Sequence, residues 1–225
     1  MTALWVLWLI YVLALIVDLL YVQPYRSRRA RAQGLYYSAG SISFGLRAAL
    51  PVFTLVLLLR TFVADVYHIP SQSMHPALEE GSRIWVNRLA YGLRSPLSGD
   101  LWLRRDPPAR GEVIVFQYPR EPRTTYVKRV LAVPGDRVLI DGDEILLNGQ
   151  PLTTAPADHD AFRPVSLGDA EYRLYDDPTV ASSLQLALDV PENHYFAIGD
   201  NLNHSQDSRV WGLLADRHIL GRVID

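Results

Sequence analysis

The chain has 225 residues, with 22 Lys plus Arg against 24 Asp plus Glu and a net charge of −2, so no global attraction to nucleic acid is expected. Cysteine is absent, which excludes a disulfide framework, a thiolate metal site and a cysteine nucleophile while leaving the compartment open. Lys128 is the only lysine; the arginine bias reads as genomic base composition, but arginine cannot be deprotonated in a protein and a buried lysine can, which marks Lys128 as a candidate base.

Residues 3 to 22, ALWVLWLIYVLALIVDLLYV, are long and apolar enough to cross a bilayer as a helix, with Asp18 as the only ionisable side chain. A cleaved secretory signal would carry positive charge ahead of its apolar run. Here Arg26, Arg28, Arg29 and Arg31 follow it, so the positive-inside rule makes 23–45 a cytoplasmic loop and puts the N-terminus outside. A second span is expected over 46–65, around AALPVFTLVLLLRTFVA, with Arg47 adding to the cytoplasmic charge and Arg60 and Asp65 snorkelling at its far end. Pro51 is tolerable in a membrane helix. Two spans put residues 66–225 outside the cytoplasm.

From Tyr67 the pattern changes to short runs rich in Val, Ile, Phe and Tyr, bounded by Gly, Pro and Asp. Strands are expected at Ser82–Val86, Glu112–Tyr118, Thr125–Val133, Arg137–Ile140, Glu144–Leu147, Tyr195–Ile198 and Ile219–Ile224. Gly142 and Gly149 punctuate a small hairpin, and residues 150–192, rich in Asp, Pro, Ala and Ser, read as loosely structured. The expectation is a mainly β fold: an antiparallel β-sheet domain over 66–225 with a small inserted subdomain at 141–192, preceded by two transmembrane helices.

Three segments stand out. The first is Ile69-Pro70-Ser71-Gln72-Ser73-Met74-His75-Pro76, two serines held between prolines in a rigid, non-helical turn. Taken alone it also suits a plain linker. The second is Tyr126-Val127-Lys128-Arg129-Val130 followed by Val133-Pro134-Gly135-Asp136. On a strand, Lys128 shares a face with Tyr126 and Val130 and its amine can enter an interior; an edge lysine facing water is the plainer use. The third is Gly199-Asp200-Asn201 with Ser205-Gln206-Asp207-Ser208-Arg209, which alone is a polar turn after a strand.

In this order, after a membrane span, the segments resemble the type I signal peptidases, the bacterial leader peptidase family, and the resemblance covers nearly the whole chain. It implies a membrane-bound serine endopeptidase that removes signal peptides after small residues, in Ala-X-Ala sites, with no cofactor and no metal. The implied partners are the signal peptides of preproteins and membrane lipid, with the export translocon nearby. The implied location is the inner membrane, multi-pass, with an all-β catalytic domain on the periplasmic side. Position by position, Ser73 matches the nucleophile and Lys128 the general base. Ser71 matches a hydroxyl that joins the Ser73 backbone N–H in the oxyanion hole, and Ser205 a residue holding the lysine amine. Asp207 and Arg209 match a supporting polar pair. Tyr67, Ile69, Met74, Leu78, Ile84, Val115, Tyr126 and Val127 match positions near shallow substrate pockets. The chain departs from the pattern at Leu202-Asn203-His204, where the family usually has Arg-Asp-Asn, at Gln72, where Gly is frequent, and at Ser82, where a Gly-Asp pair normally ends.

The chemistry asks for these residue types. A serine hydroxyl attacks poorly until a base takes its proton. A lysine of ordinary pKa about 10.4 must have its charged form destabilised by roughly 3 to 5 kcal/mol to be neutral at pH 7 to 8, which burial among side chains such as Val127, Val130 and Met74 supplies. Ser73 lies ten residues past Val63, so at no more than about 3.6 Å per residue it stays near the bilayer, where a cleavage site emerges. A Ser-His hydrolase is the competing enzyme reading, with His75, His194 and His204 available, but no G-x-S-x-G elbow is present. No H-E-x-x-H spacing occurs. A binding module that kept the fold without the activity is the alternative from another class.

Overall fold

The computed structural model describes residues 2–36, 41–95, 100–153, 161–180 and 182–224. The chain divides after Val63 into a helical unit and a β unit.

In the helical unit, α1 (Thr2–Val17) passes through a π-helical turn (Asp18–Val22) into α2 (Gln23–Ala32). The helix therefore runs ten residues beyond Val22, into the region read as a loop, because Gln23–Ala32 carries no helix breaker after Pro24 and places the arginines on a solvated helix. The second helix, α3 (Ser41–Leu58), ends in another π turn (Leu59–Val63) and contains Pro51. Residues 37–40 of the expected cytoplasmic loop lie outside the described residues. Both helices are long and apolar enough to cross a membrane. They meet through Trp8 Nε1 donating to Thr54 Oγ1 at 2.8 Å and through Arg47, whose guanidinium lies 3.3 Å from Asp18. The single acid of the first apolar run thus has a cationic partner, which offsets much of its desolvation.

The β unit begins at once with β1 (Ala64–His68), so Asp65 is not a membrane-edge residue of the second span as expected. It is buried in the β unit, 3.7 Å from the Arg88 guanidinium. The remaining strands are β2 (Arg83–Asn87), β3 (Gly92–Arg94), β4 (Leu101–Arg104), β5 (Val113–Tyr118), β6 (Glu121–Ala132), β7 (Arg137–Asp141), β8 (Glu144–Leu147), β9 (Gln150–Pro151), β10 (Phe162–Leu167), β11 (Ala170–Tyr175), β12 (Gln185–Asp189), β13 (His194–Ile198), β14 (Leu214–Ala215) and β15 (Ile219–Ile224). One four-residue helix, α4 (Ser208–Trp211), interrupts them.

The main sheet has seven strands in the order β1-β2-β15-β5-β6-β13-β14. Its centre is apolar by period-two alternation: Ile114, Phe116 and Val130 enter one cluster with Tyr195, Trp211 and Ile219, while Val115 enters another with Ile69, Ile84 and Val86. A smaller sheet, β12-β7-β8-β9, packs Val138, Ile140, Ile145 and Leu147 in a third cluster with Phe196 and Ile198.

All seven expected strands are present, with ends moved by a few residues at most. The expected loose insertion is not loose. Over 150–192 the structure contains the β10–β11 hairpin and β12, which pairs with β7 from Asp189↔Arg137 to Gln185↔Asp141. The inserted sheet therefore starts at Arg137 rather than 141. Residues 154–160 and 181 of that stretch lie outside the described residues.

Candidate active site

Lys128 arrives on β6 opposite Ile114 of β5 and is 3% exposed. Ser73 arrives on a 3₁₀ turn (Gln72–Met74) that follows the extended Ser71 and is anchored beneath by Met74, which is fully buried. Two unconnected segments so bring Lys128 Nζ within 2.6 Å of Ser73 Oγ. The Ser71 hydroxyl lies on the other side, donating to Ser73 Oγ at 3.3 Å. The distances are those of a nucleophile, its base and a neighbouring hydroxyl donor.

Burial brings the Lys128 ammonium from its ordinary value of 10.5 down to about 8; the carboxylates of Asp207 and Asp200 work against that fall and Arg209 assists it. The shift corresponds to about 3 kcal/mol against the charged form. The amine is walled on one side by the Tyr126 ring, whose centroid lies 5.6 Å from Nζ. Tyr126 is itself held by stacking on Tyr118 at 4.6 Å.

The loop after β13 fixes the nucleophile from behind. The Asn201 N–H donates to the Ser73 carbonyl oxygen at 3.2 Å. Gly199 is required here by close approach: an added Cβ would come within 2.3 Å of both the Ser73 carbonyl oxygen and Ser205 Oγ. Asp207, fully buried, accepts from the Gly199 N–H at 3.0 Å and pairs with Arg209 at 2.8 Å, and Arg209 reaches on to the Leu202 carbonyl at 2.9 Å. Asp200 accepts from Nε and Nη2 of Arg129, the residue after the lysine, at 2.8 and 2.6 Å, and Tyr172 covers the guanidinium at 4.1 Å. The strand carrying the lysine and the loop backing the serine are thereby tied by one buried bidentate ion pair.

Of the residues expected at the site, Ser73, Lys128 and Ser71 come together, and Asp207 and Arg209 form the expected pair one layer behind. Ser205 does not meet its expectation of holding the lysine amine. Its hydroxyl is buried behind Gly199 with no hydrogen-bond partner among the described residues. The preceding Leu202-Asn203-His204 turn is fixed by other bonds: the Asp177 N–H donates to Asn203 Oδ1 and the His204 N–H to Asn201 Oδ1.

A groove of about 360 Å³ opens on the Ser73–Lys128 pair. Tyr67, Ile69, Met74, Tyr126 and Val127 line it as expected. Leu78, Ile84 and Val115 pack with Ile69 and Val86 in the apolar cluster that backs it. Unexpected lining comes from His68, Thr124, Thr125, His204 and Gln206. Along this groove β6 has an open edge. Strand β13 pairs with β6 from Ala132 to Arg129 and no further, so among the described residues Thr124–Lys128 lack a sheet partner on that side. His75 turns away from the pair, its ring against Phe162 and Tyr175 at 5.8 and 5.9 Å.

Known proteins resemble this chain over most of its length. The family model described as signal peptidase, peptidase S26, matches residues 43–224. The chain is 34% identical over 197 residues to signal peptidase I of Pseudomonas fluorescens, covering 77% of this chain and 68% of that protein. It is 35% identical over 198 residues to signal peptidase I of Pseudomonas aeruginosa, with the same coverage. A crystal structure of a signal peptidase I from Enterococcus faecalis is 25% identical, with a TM-score of 0.37, covering 53% of this chain and 98% of that one.

Proposed function

The chain belongs to the signal peptidase family, peptidase S26, and we propose that it cuts by a Ser-Lys dyad, Ser73 attacking and Lys128 serving as general base. As a member of that family it is a serine endopeptidase that removes signal peptides from preproteins. The observation that carries the dyad is the 2.6 Å contact between Ser73 Oγ and a lysine amine whose charged form burial destabilises, bringing its pKa down to about 8. Neutral Nζ takes the hydroxyl proton as Oγ adds to the scissile carbonyl. The resulting oxyanion accepts from the Ser71 hydroxyl and the Ser73 N–H, a pair of donors of the kind whose single loss is worth about 2.7–4 kcal/mol. On collapse Lys128 hands its proton to the departing amine of the mature chain, leaving an acyl ester on Ser73. Lys128 then takes a proton from water as the water oxygen adds to the ester carbonyl; collapse breaks the bond to Ser73 Oγ, Lys128 returns the proton to Oγ, and the signal peptide leaves with a new carboxyl end.

The open β6 edge at Thr124–Lys128 suits an extended peptide added as a strand, with backbone hydrogen bonds supplying affinity and alternate side chains entering pockets. The walls of those pockets, Ile69, Met74, Tyr126 and Val127, are apolar. We read the specificity as Ala-X-Ala before the scissile bond. Replacing both alanines of a preprotein substrate by Leu should lower kcat/KM by at least about tenfold, the scale set by misfit in a small pocket; equal cleavage would remove the Ala-X-Ala assignment.

We further read the helical unit as a two-span membrane anchor, with the basic segment Arg26–Arg47 cytoplasmic and the β unit periplasmic. A C-terminal tag in spheroplasts should then be digested by added protease. Protection of the tag until the membrane is lysed would refute this orientation.

A further inference from the structure

Residues 150–192 read as loose in sequence, yet the β10–β11 hairpin within them reaches the nucleophile. At the open end of the hairpin Phe162 stands opposite Tyr175. Leu174, one residue earlier, is fully buried in the cluster that holds Phe196 and Ile198, so the hairpin is anchored on β13, the strand that leads into the 199–207 loop. Tyr175 then pairs with that loop itself. Its N–H donates to the Asp200 carbonyl at 2.7 Å, and its carbonyl accepts from the Leu202 N–H at 2.8 Å. This is a parallel bridge centred on Asn201. In that pattern the central residue turns its own N–H to the opposite side. The Asn201 N–H does so, donating to the Ser73 carbonyl at 3.2 Å.

The Tyr175 side chain meets the nucleophile's turn from its far end. Its ring centroid lies 5.5 Å from that of Phe162 and 5.9 Å from that of His75, two residues after Ser73. Phe162 is the nearer neighbour and the cross-strand partner, so it seats the ring whether or not His75 is present. One residue of the inserted subdomain thus braces the main chain behind Ser73 and packs against the exit of its turn. Among the described residues, Tyr175 does not line the groove. Any effect it has on cleavage must pass through the placement of Ser73. The Ser73 carbonyl and Oγ hang from one Cα. A carbonyl free to swing lets Oγ drift from its 2.6 Å contact with Lys128 and turns the N–H assigned to the oxyanion. A misplacement of about 1 Å at a reacting group can cost about 10²-fold in rate.

We propose that Tyr175 is a positioning residue for the nucleophile: its ring, seated on Phe162, holds its main chain on Asp200 and Leu202, and that bridge aims the Asn201 N–H at the Ser73 carbonyl. The inference rests on the dyad reading, and the test separates the two. The full-length protein in detergent is given one preprotein peptide with an Ala-X-Ala site. Peptide-binding sites are counted, and Kd measured, in a Ser73→Ala background, where the peptide stays whole. The kcat of each variant is then expressed per binding site, so a chain that folds only in part still reports. Tyr175→Ala should lose at least about tenfold in kcat per site, with Kd within about twofold of that of Ser73→Ala alone, the pattern of an interaction felt only in the transition state. Tyr175→Phe keeps the ring and should stay within about twofold of wild type in both. The rising limb of kcat/KM with pH should keep its midpoint near 8 in Tyr175→Ala, since Lys128 is set by β6 and by its own burial. A kcat per site within about threefold of wild type in Tyr175→Ala overturns the proposal; should that chain bind no peptide, the same value in Phe162→Ala overturns it. An equal loss in Tyr175→Phe, a loss confined to Kd, or a moved midpoint does so too. Cleavage by Ser73→Ala at the wild-type rate refutes the dyad reading, and this inference with it.

Discussion

Lys128→Arg is expected to abolish cleavage, although it keeps the charge and nearly the length of the side chain. A guanidinium remains protonated at any usable pH and cannot accept the Ser73 proton, so the loss should be at least the 10²–10⁴-fold typical of a general base. The fit fails as well: Lys128 is 3% exposed and ends 2.6 Å from Ser73 Oγ, which leaves no room for a planar fork. His75→Ala is the counterpart. His75 is the histidine nearest in sequence to the nucleophile, but its ring packs on Phe162 and Tyr175, so most activity should survive its removal. A Ser-His enzyme would give the reverse. Initial rates on one preprotein substrate, for both variants beside wild type, check the pair; activity in Lys128→Arg with none in His75→Ala would overturn the base assignment.

The second large effect is on stability. Asp200 is fully buried and its carboxylate is matched by Arg129 in a bidentate pair. Removing one partner leaves an uncompensated charge in the interior, which destabilises by about 3–5 kcal/mol. Arg129→Met and Asp200→Leu should each show that loss in denaturant unfolding. The double substitution should recover much of it, because two apolar side chains replace the pair and no orphan charge remains. Strict additivity of the two single losses would show that the pair is not the coupling element between β6 and the 199–207 loop. Activity should fall in the single variants as well, since Arg129 follows the lysine and Asp200 lies between Gly199 and Asn201, which contact the Ser73 carbonyl.

Much of this was legible in the sequence, for identifiable reasons. Strands β7 and β15 alternate buried and exposed residues, β5 and β13 are short runs rich in Val, Ile, Phe and Tyr, and Lys128 was visible as the one lysine in an apolar strand. Strands β10, β11 and β12 were not. Val165 and Leu167, or Leu174 alone, give too few buried apolar positions per strand to stand out from the surrounding Asp, Pro and Ser, and β12 becomes a strand only by pairing with β7 across more than forty residues. Leu78, Ile84 and Val115 were carried over by position from the resemblance, and they share one apolar cluster with the groove residues Tyr67, Ile69 and Val127. The Arg129–Asp200 pair lay inside two of the quoted motifs, but nothing in either motif alone says that they meet. Ser205 shows the limit of carrying a role over by position: its hydroxyl is near the site, and it is Gly199 that it packs against.

The most direct measurement is the pH dependence of kcat/KM for the wild-type protein, because that quantity titrates the base of the free enzyme. Burial favours the neutral amine and leaves Lys128 protonated below about 8. Activity must therefore fall about tenfold per pH unit on the acid side and level off on the alkaline side. The account predicts one rising limb with its midpoint near 8. A midpoint near the ordinary histidine value of about 6.5, or a profile flat from about pH 6 to 9, would contradict a neutral Lys128 as the group that activates Ser73.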